Sequence, residues 1–156
     1  KNDRVRMKNA VSWRFLEEQV SRLALFGKDR LDGKVAYLAT IRNDGMPRAH
    51  PVTPVLGRGY CFIFVEPDSQ KVRDLQSNGY FCLHCSMNDS SGSSGEFQVT
   101  GIAEQVADPG LRKVAEGASS YRPSARSLLF ELRIVEVLST SYRGGRPDRV
   151  RWTAPS

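Results

Sequence analysis

A chain of 156 residues, 40% hydrophobic, can bury one core and is too short for two full domains; a single domain over 1–156 is expected, with residues 1–11 as a flexible N-terminal extension. No run approaches the roughly 18 consecutive apolar residues of a membrane helix, and the polar, basic start at 1–8 lacks the apolar region of a signal peptide. The net charge of +6 is scattered, with concentrations only at 1–8 and 143–151 that read as solvated ends, so the charge alone does not point to nucleic acid.

Trp13, Leu16, Val20 and Leu23 recur at helical spacing after a Ser12 cap, and Gly27 is a natural stop, which predicts one amphipathic helix laid on the core. From Lys34 the period changes. Val35, Tyr37, Ala39 and Ile41 alternate with Ala36, Leu38 and Thr40, giving a strand that is apolar on both faces and therefore expected to be buried. Asn43-Asp44-Gly45 then reverses the chain into 47–56, a single edge or bent strand whose three prolines cannot donate to a ladder. Gly57-Arg58-Gly59 turns into a strand over 60–65, and Asp68 or Ser69 caps a helix through Leu75 that ends at Asn78-Gly79. A strand at 80–86 leads to a Ser/Gly-rich loop at 88–95, read as mobile, and to a further strand starting at Phe97, Val99 and Gly101. Asp108-Pro109 supplies the cap and first-turn proline of a helix ending near Gly117, and 127–138 and 150–152 are the last strands. Six or seven antiparallel strands with a few helices make a mostly β chain, and closure into a small barrel would remove its exposed edges.

Two segments carry a candidate site: Arg48-Ala49-His50-Pro51-Val52-Thr53 on the bent strand, and Asp68-Ser69-Gln70-Lys71 at a helix start. Both should lie on neighbouring strands of one sheet. Free backbone N–H groups at the helix start, a Ser hydroxyl, and Lys71 and Arg48 as charge-assisted donors make an anion grip. A phosphorylated small molecule is the ligand class that fits it. Taken one at a time, the two cations are ordinary surface charges and Ser69 an ordinary cap, so the site rests on their joint placement.

The pieces Ala36-Tyr37-Leu38-Ala39-Thr40, Asp44-Gly45-Met46-Pro47-Arg48, Pro51-Val52, Ser69-Gln70-Lys71-Val72-Arg73-Asp74-Leu75 and Val99-Thr100-Gly101-Ile102-Ala103-Glu104 resemble, in order and spacing over 35–138, the FMN-binding split-barrel family related to pyridoxamine 5′-phosphate oxidase. That resemblance implies a split β-barrel and a homodimer with two FMN sites at the subunit interface. It also implies that Arg48, Ala49, His50, Pro51, Val52 and Thr53 line the flavin and its ribityl chain, that Phe64 and Val65 flank the ring, that Ser69 and Lys71 take the phosphate with Gln70 between them in the cofactor site, and that Gln98 reaches the flavin from the partner chain. His50 or Arg48 would place positive charge at the ring's pyrimidine side, and His50 would be a donor at the flavin edge. Two departures separate the chain from true pyridoxamine-phosphate oxidases: Gln70 stands where they carry a basic residue, and Thr53 where they carry lysine. Tyr121-Arg122-Pro123 with Ser127 matches their substrate-phosphate motif only weakly. The resemblance therefore stops short of vitamin B6 oxidation, and no catalytic residue is assigned.

Cys82-Leu83-His84-Cys85 has the look of a metal motif, but residues 82 and 85 should face opposite sides of a strand and a closed zinc site needs four converging ligands. The three cysteines are read as structural, and their odd number favours a reducing cytoplasm over a secreted disulfide framework. Neither histidine sits in a nucleophile setting, and no phosphate-binding glycine motif is present. The expected function is an FMN-dependent oxidoreductase acting on a small-molecule substrate. The alternatives are a split barrel holding the deazaflavin F420 or haem, a non-enzymatic flavin-binding or redox-sensing module, and, last, a nucleic-acid-binding barrel.

Overall fold

The computed structural model describes residues 9–156; most of the expected extension, with its basic cluster, lies outside these residues. Its last residue is already tied down, since Val11 and Ile134 exchange backbone hydrogen bonds of 2.8 and 2.7 Å. The described residues form α1 (Trp13–Gln19), α2 (Ser21–Leu31), β1 (Ala36–Ile41), β2 (Pro47–Val52), β3 (Val55–Gly57), β4 (Tyr60–Val65), α3 (Gln70–Ser77), β5 (Tyr80–Cys85), β6 (Glu96–Gln105), α4 (Pro109–Ala118), β7 (Leu128–Arg143) and β8 (Arg146–Thr153). The eight strands form one antiparallel sheet in the order β2-β1-β5-β6-β7-β4-β3, with β8 paired to β7.

Strands β2 and β3 end opposite edges of that order, yet only Thr53 and Pro54 separate them in the chain. Three Cα steps reach at most about 11 Å, so the sheet must curl until its two edges lie side by side. The result is a mostly β split barrel. The single strand expected over 47–56 is therefore two strands, because Pro54 cannot donate and the chain there jumps the gap between the barrel's edges. This accounts for one strand beyond the expected six or seven.

Inside the barrel, Leu38, Ile63, Leu83, Phe97, Leu132 and Ile134 are fully buried and join the faces of α1 and α2 through Trp13, Leu16 and Leu31. Gly27 does not stop a helix. It lies within α2, where a Cβ would stand 2.4 Å from Cζ of Phe97, so the missing side chain admits a ring that also meets Trp13 and Phe26. The helical run breaks instead at Val20, whose φ of −141° and ψ of 69° divide it into two helices. Leu16 and Leu23 remain on the core side of that break.

Strand β1 is buried on one face only: Ala36, Leu38 and Thr40 point into the barrel, while Tyr37 is 50% exposed and Ile41 37%. A strand reads as apolar on both sides whether its outer face meets the same chain or another molecule, and nothing among the described residues covers it. The basic stretch 143–151 is not a solvated end but the hairpin between β7 and β8, turned by Gly144 and Gly145 at φ of 55° and 78°. The Ser/Gly loop is clamped at both ends by buried Arg30, which donates to the carbonyls of Ser86 (2.7 Å), Ser94 (2.8 Å) and Gly95 (2.6 Å).

Candidate functional site

Helix α3 starts as the sequence predicts. Ser69 caps it, its Oγ accepting from the Lys71 N–H at 3.2 Å. The cap also removes donors that a ligand would use: Ser69 N–H goes to the Glu66 carbonyl at 3.0 Å and Val72 N–H to the Ser69 carbonyl at 3.1 Å. Among the described residues the expected row of free backbone donors shrinks to Gln70 N–H, because the helix start satisfies itself. Burial holds the half-buried Lys71 ammonium below its ordinary pKa, so an anion placed beside it would relieve that penalty.

An open groove of about 340 Å³ gathers seven of the expected residues: Pro51, Val52 and Thr53 from the end of β2, Phe64 and Val65 from β4, and Ser69 and Lys71 from the helix start. Tyr121, from the loop after α4, closes one side; its hydroxyl donates to the Thr53 carbonyl at 3.3 Å. Its ring meets Phe64 edge-on at 6.4 Å, and the Arg112 guanidinium lies over Phe64 at 5.6 Å. The groove thus has a fixed aromatic wall and a polar end.

Arg48, Ala49, His50 and Gln70 do not line that groove. The pleat puts Arg48 and His50 on the inner side, opposite Thr40 and Leu38, and turns Ala49 outward. Arg48 Nε donates to Asp74 Oδ2 at 2.9 Å and its Nη1 to Gln70 Oε1. Thr40 Oγ1 donates to the same Asp74 oxygen at 2.7 Å and lies 3.1 Å from His50 Nε2. Burial alone would raise the Asp74 pKa, but hydrogen bonds from Thr40 and Arg48 and the guanidinium charge outweigh it and hold the carboxyl below its ordinary 3.8. The same cluster lowers the His50 pKa, first by burial and then through the charges of Lys71 and Arg48, with Asp74 opposing. That direction favours the neutral His50 ring near pH 7 and leaves Arg48 as the cation of the expected pair. Arg48, Gln70 and Asp74, with Arg42 and Arg73, line a second recess of about 280 Å³ beside the β1–β2 turn.

Asp74 is the site residue that sequence reasoning passed over. Its signal was a carboxylate set between Val72 and Leu75 on the buried side of a short helix. Gln98 stands apart: the register Pro51–Tyr37–His84–Gln98 puts three strand spacings, about 14 Å, between it and the groove. In the Cys82–Cys85 motif the pleat sends Cys82 outward and Cys85 into the core, as expected. His84 Nδ1 lies 2.6 Å from the Cys85 carbonyl and Nε2 lies 3.3 Å from Glu96. Its contacts with Cys85, opposed by burial and reinforced by Glu96, push its pKa up to about 9, and a doubly protonated ring has no lone pair for a metal.

The family model described as pyridoxamine 5′-phosphate oxidase matches residues 30–141. Among solved structures, a heme binding protein from Mycobacterium smegmatis is 22% identical with a TM-score of 0.63; the match covers 80% of this chain and 57% of that one, so this chain spans little more than half its length. A NimC/NimA family protein from Clostridium acetobutylicum is 20% identical over 89% of this chain and 96% of that one, with a TM-score of 0.61. A protein from the same organism, related to general stress protein 26 of B. subtilis and placed in the pyridoxinephosphate oxidase family, is 14% identical over 90% and 95%, with a TM-score of 0.59. At these identities the likeness is one of fold. No curated protein matches the sequence.

Proposed function

The chain belongs to the pyridoxamine 5′-phosphate oxidase family, and on that premise we propose that it binds FMN between two copies of itself and acts as an oxidoreductase on a small molecule. The observation that carries this reading is the groove. Val52, Phe64 and Val65 offer apolar walls to a flat ring, while the Ser69 hydroxyl and the Lys71 ammonium stand together at its polar end for a phosphate. FMN bound there would supply hydride and electron transfer. The chain's own residues bind and orient it: Lys71 and Ser69 hold the phosphate, Arg48 keeps positive charge near the helix start, and Tyr121 fixes the Thr53 carbonyl and the Phe64 ring.

One observation favours the homodimer: Val35, Tyr37 and Ile41 stand exposed along the outer side of β1, an apolar stripe that a second copy would cover. The contribution expected of Gln98 would then come from that copy, since within one chain it lies three strand spacings from the groove. The departures at Gln70 and Thr53 point away from a vitamin B6 substrate. Three free cysteines fit a reducing cytoplasm.

The reading is tested by the absorption spectrum of the purified protein and by FMN titration. Flavin bands and one FMN per chain are expected; a deazaflavin or haem spectrum would replace the cofactor, and no binding at micromolar FMN would end the proposal. Lys71→Ala removes one charge-assisted hydrogen bond worth about 1.5–3 kcal/mol, so it should weaken FMN about 10- to 100-fold. Riboflavin, which lacks the phosphate, should bind the variant and the parent alike. Equal losses for both ligands would place Lys71 away from the phosphate.

A further inference from the structure

The break at Val20 leaves a helix start bare. Val20 is the N-cap of α2 and its side chain cannot accept a hydrogen bond, so the backbone N–H groups of Ser21, Arg22 and Leu23 find no acceptor among the described residues. The same three residues line a cavity of about 1190 Å³ bounded by α2, the Ser/Gly loop and the β7–β8 hairpin. Arg22 and Asp29 also line it; seven residues apart, they share one side of α2 and stand about 10 Å apart along its axis. Neither belongs to an ion pair among the described residues. Between them on α2 lie Leu25, left 70% exposed, and Phe26, and Val150 of β8 adds to the apolar lining. Ser94 lines the cavity from the loop, and its hydroxyl oxygen is buried without a hydrogen-bond partner among the described residues. A buried hydroxyl left so is costly unless an incoming group meets it. Arg143 and Asp148 repeat the pair of opposite charges on the hairpin.

We propose that this cavity binds a short apolar peptide in extended form, with its C-terminal carboxylate at the bare start of α2 beside Arg22, its N-terminal ammonium at Asp29 and its side chains over Leu25, Phe26 and Val150. The spacing carries the choice. Three extended residues span about 10 Å, which matches the separation of Arg22 and Asp29. A free amino acid holds its two charges too close together to reach both, and a fatty acid leaves Asp29 unmatched. A peptide also brings backbone amide groups that satisfy the Ser94 hydroxyl. The cavity shares no residue with the groove proposed for FMN, so the inference stands apart from the flavin reading.

Tri-leucine is the probe, titrated by calorimetry into the full protein while amide shifts are followed by NMR. Saturable binding of one peptide per chain below about 1 mM is expected, with the largest shifts at Ser21, Arg22, Leu23 and Ser94. Tri-leucine amide and N-acetyl-tri-leucine each lack one charged end and should bind about 10- to 100-fold more weakly. Arg22→Ala should weaken tri-leucine by a similar factor and leave the amide almost unchanged, and Asp29→Asn should do the same with the acetylated peptide. No saturation by about 1 mM, or blocked peptides that bind as tightly as the free one, would overturn the proposal without recourse to any variant. An unaltered affinity for tri-leucine in either folded variant would overturn it too. Binding that FMN displaces would place the peptide in the groove, and dissociation of a dimer on adding the peptide would assign the cavity to a second copy; both results count against the proposal.

Discussion

Asp74→Ala should lower stability by about 2–3 kcal/mol, near the lower end of what breaking a buried charge pair costs, because Arg48 retains some access to water. The carboxylate is 5% exposed and accepts from both Thr40 and Arg48. Its removal leaves the Thr40 hydroxyl and the Arg48 Nε without their acceptor. For a domain of this size the loss corresponds to roughly 4–12 °C in Tm, readable by circular dichroism melting. The pH dependence has a definite sign. The folded-state pKa of Asp74 lies below 3.8, so its stabilisation is complete at neutral pH and disappears only as the pH falls below about 4 through the folded value. In the variant this acid-sensitive part of the curve should flatten. An unchanged Tm, or an acid limb identical to that of the parent, would show that the Asp74 network does not hold the fold.

Gly101→Ala should be more damaging still, at about 3–5 kcal/mol, which for a protein of ordinary stability means mostly insoluble expression. Gly101 sits at the irregularity where the β6–β7 register shifts. A Cβ there would lie 1.8 Å from the carbonyl oxygen of Arg133 and 2.9 Å from its carbonyl carbon. These are backbone atoms of the neighbouring strand, which can retreat only by breaking the ladder between the two longest strands. Gly117→Ala makes the contrast, since nothing lies within 4 Å of the added methyl group near the end of α4. There the lower chain entropy of alanine should stabilise by about 0.5–1 kcal/mol. Soluble yield and urea midpoints of the two variants check both statements, and a well-folded Gly101→Ala would mean that the β6–β7 spacing is looser than described.

Much of the site was legible because its signals are local. The Ser69 cap, the Asp108-Pro109 helix start and the turn at Gly45 each depend on a few adjacent residues whose backbone preferences hold wherever they occur. The run from Arg48 to Thr53 was singled out as one unit, yet the pleat divides it: Pro51, Val52 and Thr53 reach the groove, Arg48 turns to Asp74 and Gln70, and His50 turns to Thr40. A linear motif carries no statement about which face each side chain takes once a proline and an edge have bent the strand. The same limit explains Gly27. A glycine late in a helical pattern reads as a stop until a Phe97 ring from 70 residues away occupies the space over it.

By itself, the sequence determined the mostly β class, the order of nearly all the elements, and the capped helix start that sets Ser69 beside Lys71, since capping, alternation and turn chemistry act over spans of a few residues. Only the tertiary structure decided that 47–56 is two strands on opposite edges of a curled sheet, that the apolar outer face of β1 is left open, and that Asp74 locks Arg48 and Thr40 behind the groove. Each of these depends on partners far apart in the chain, and a contact between distant residues is set by how the sheet closes rather than by the propensity of either residue.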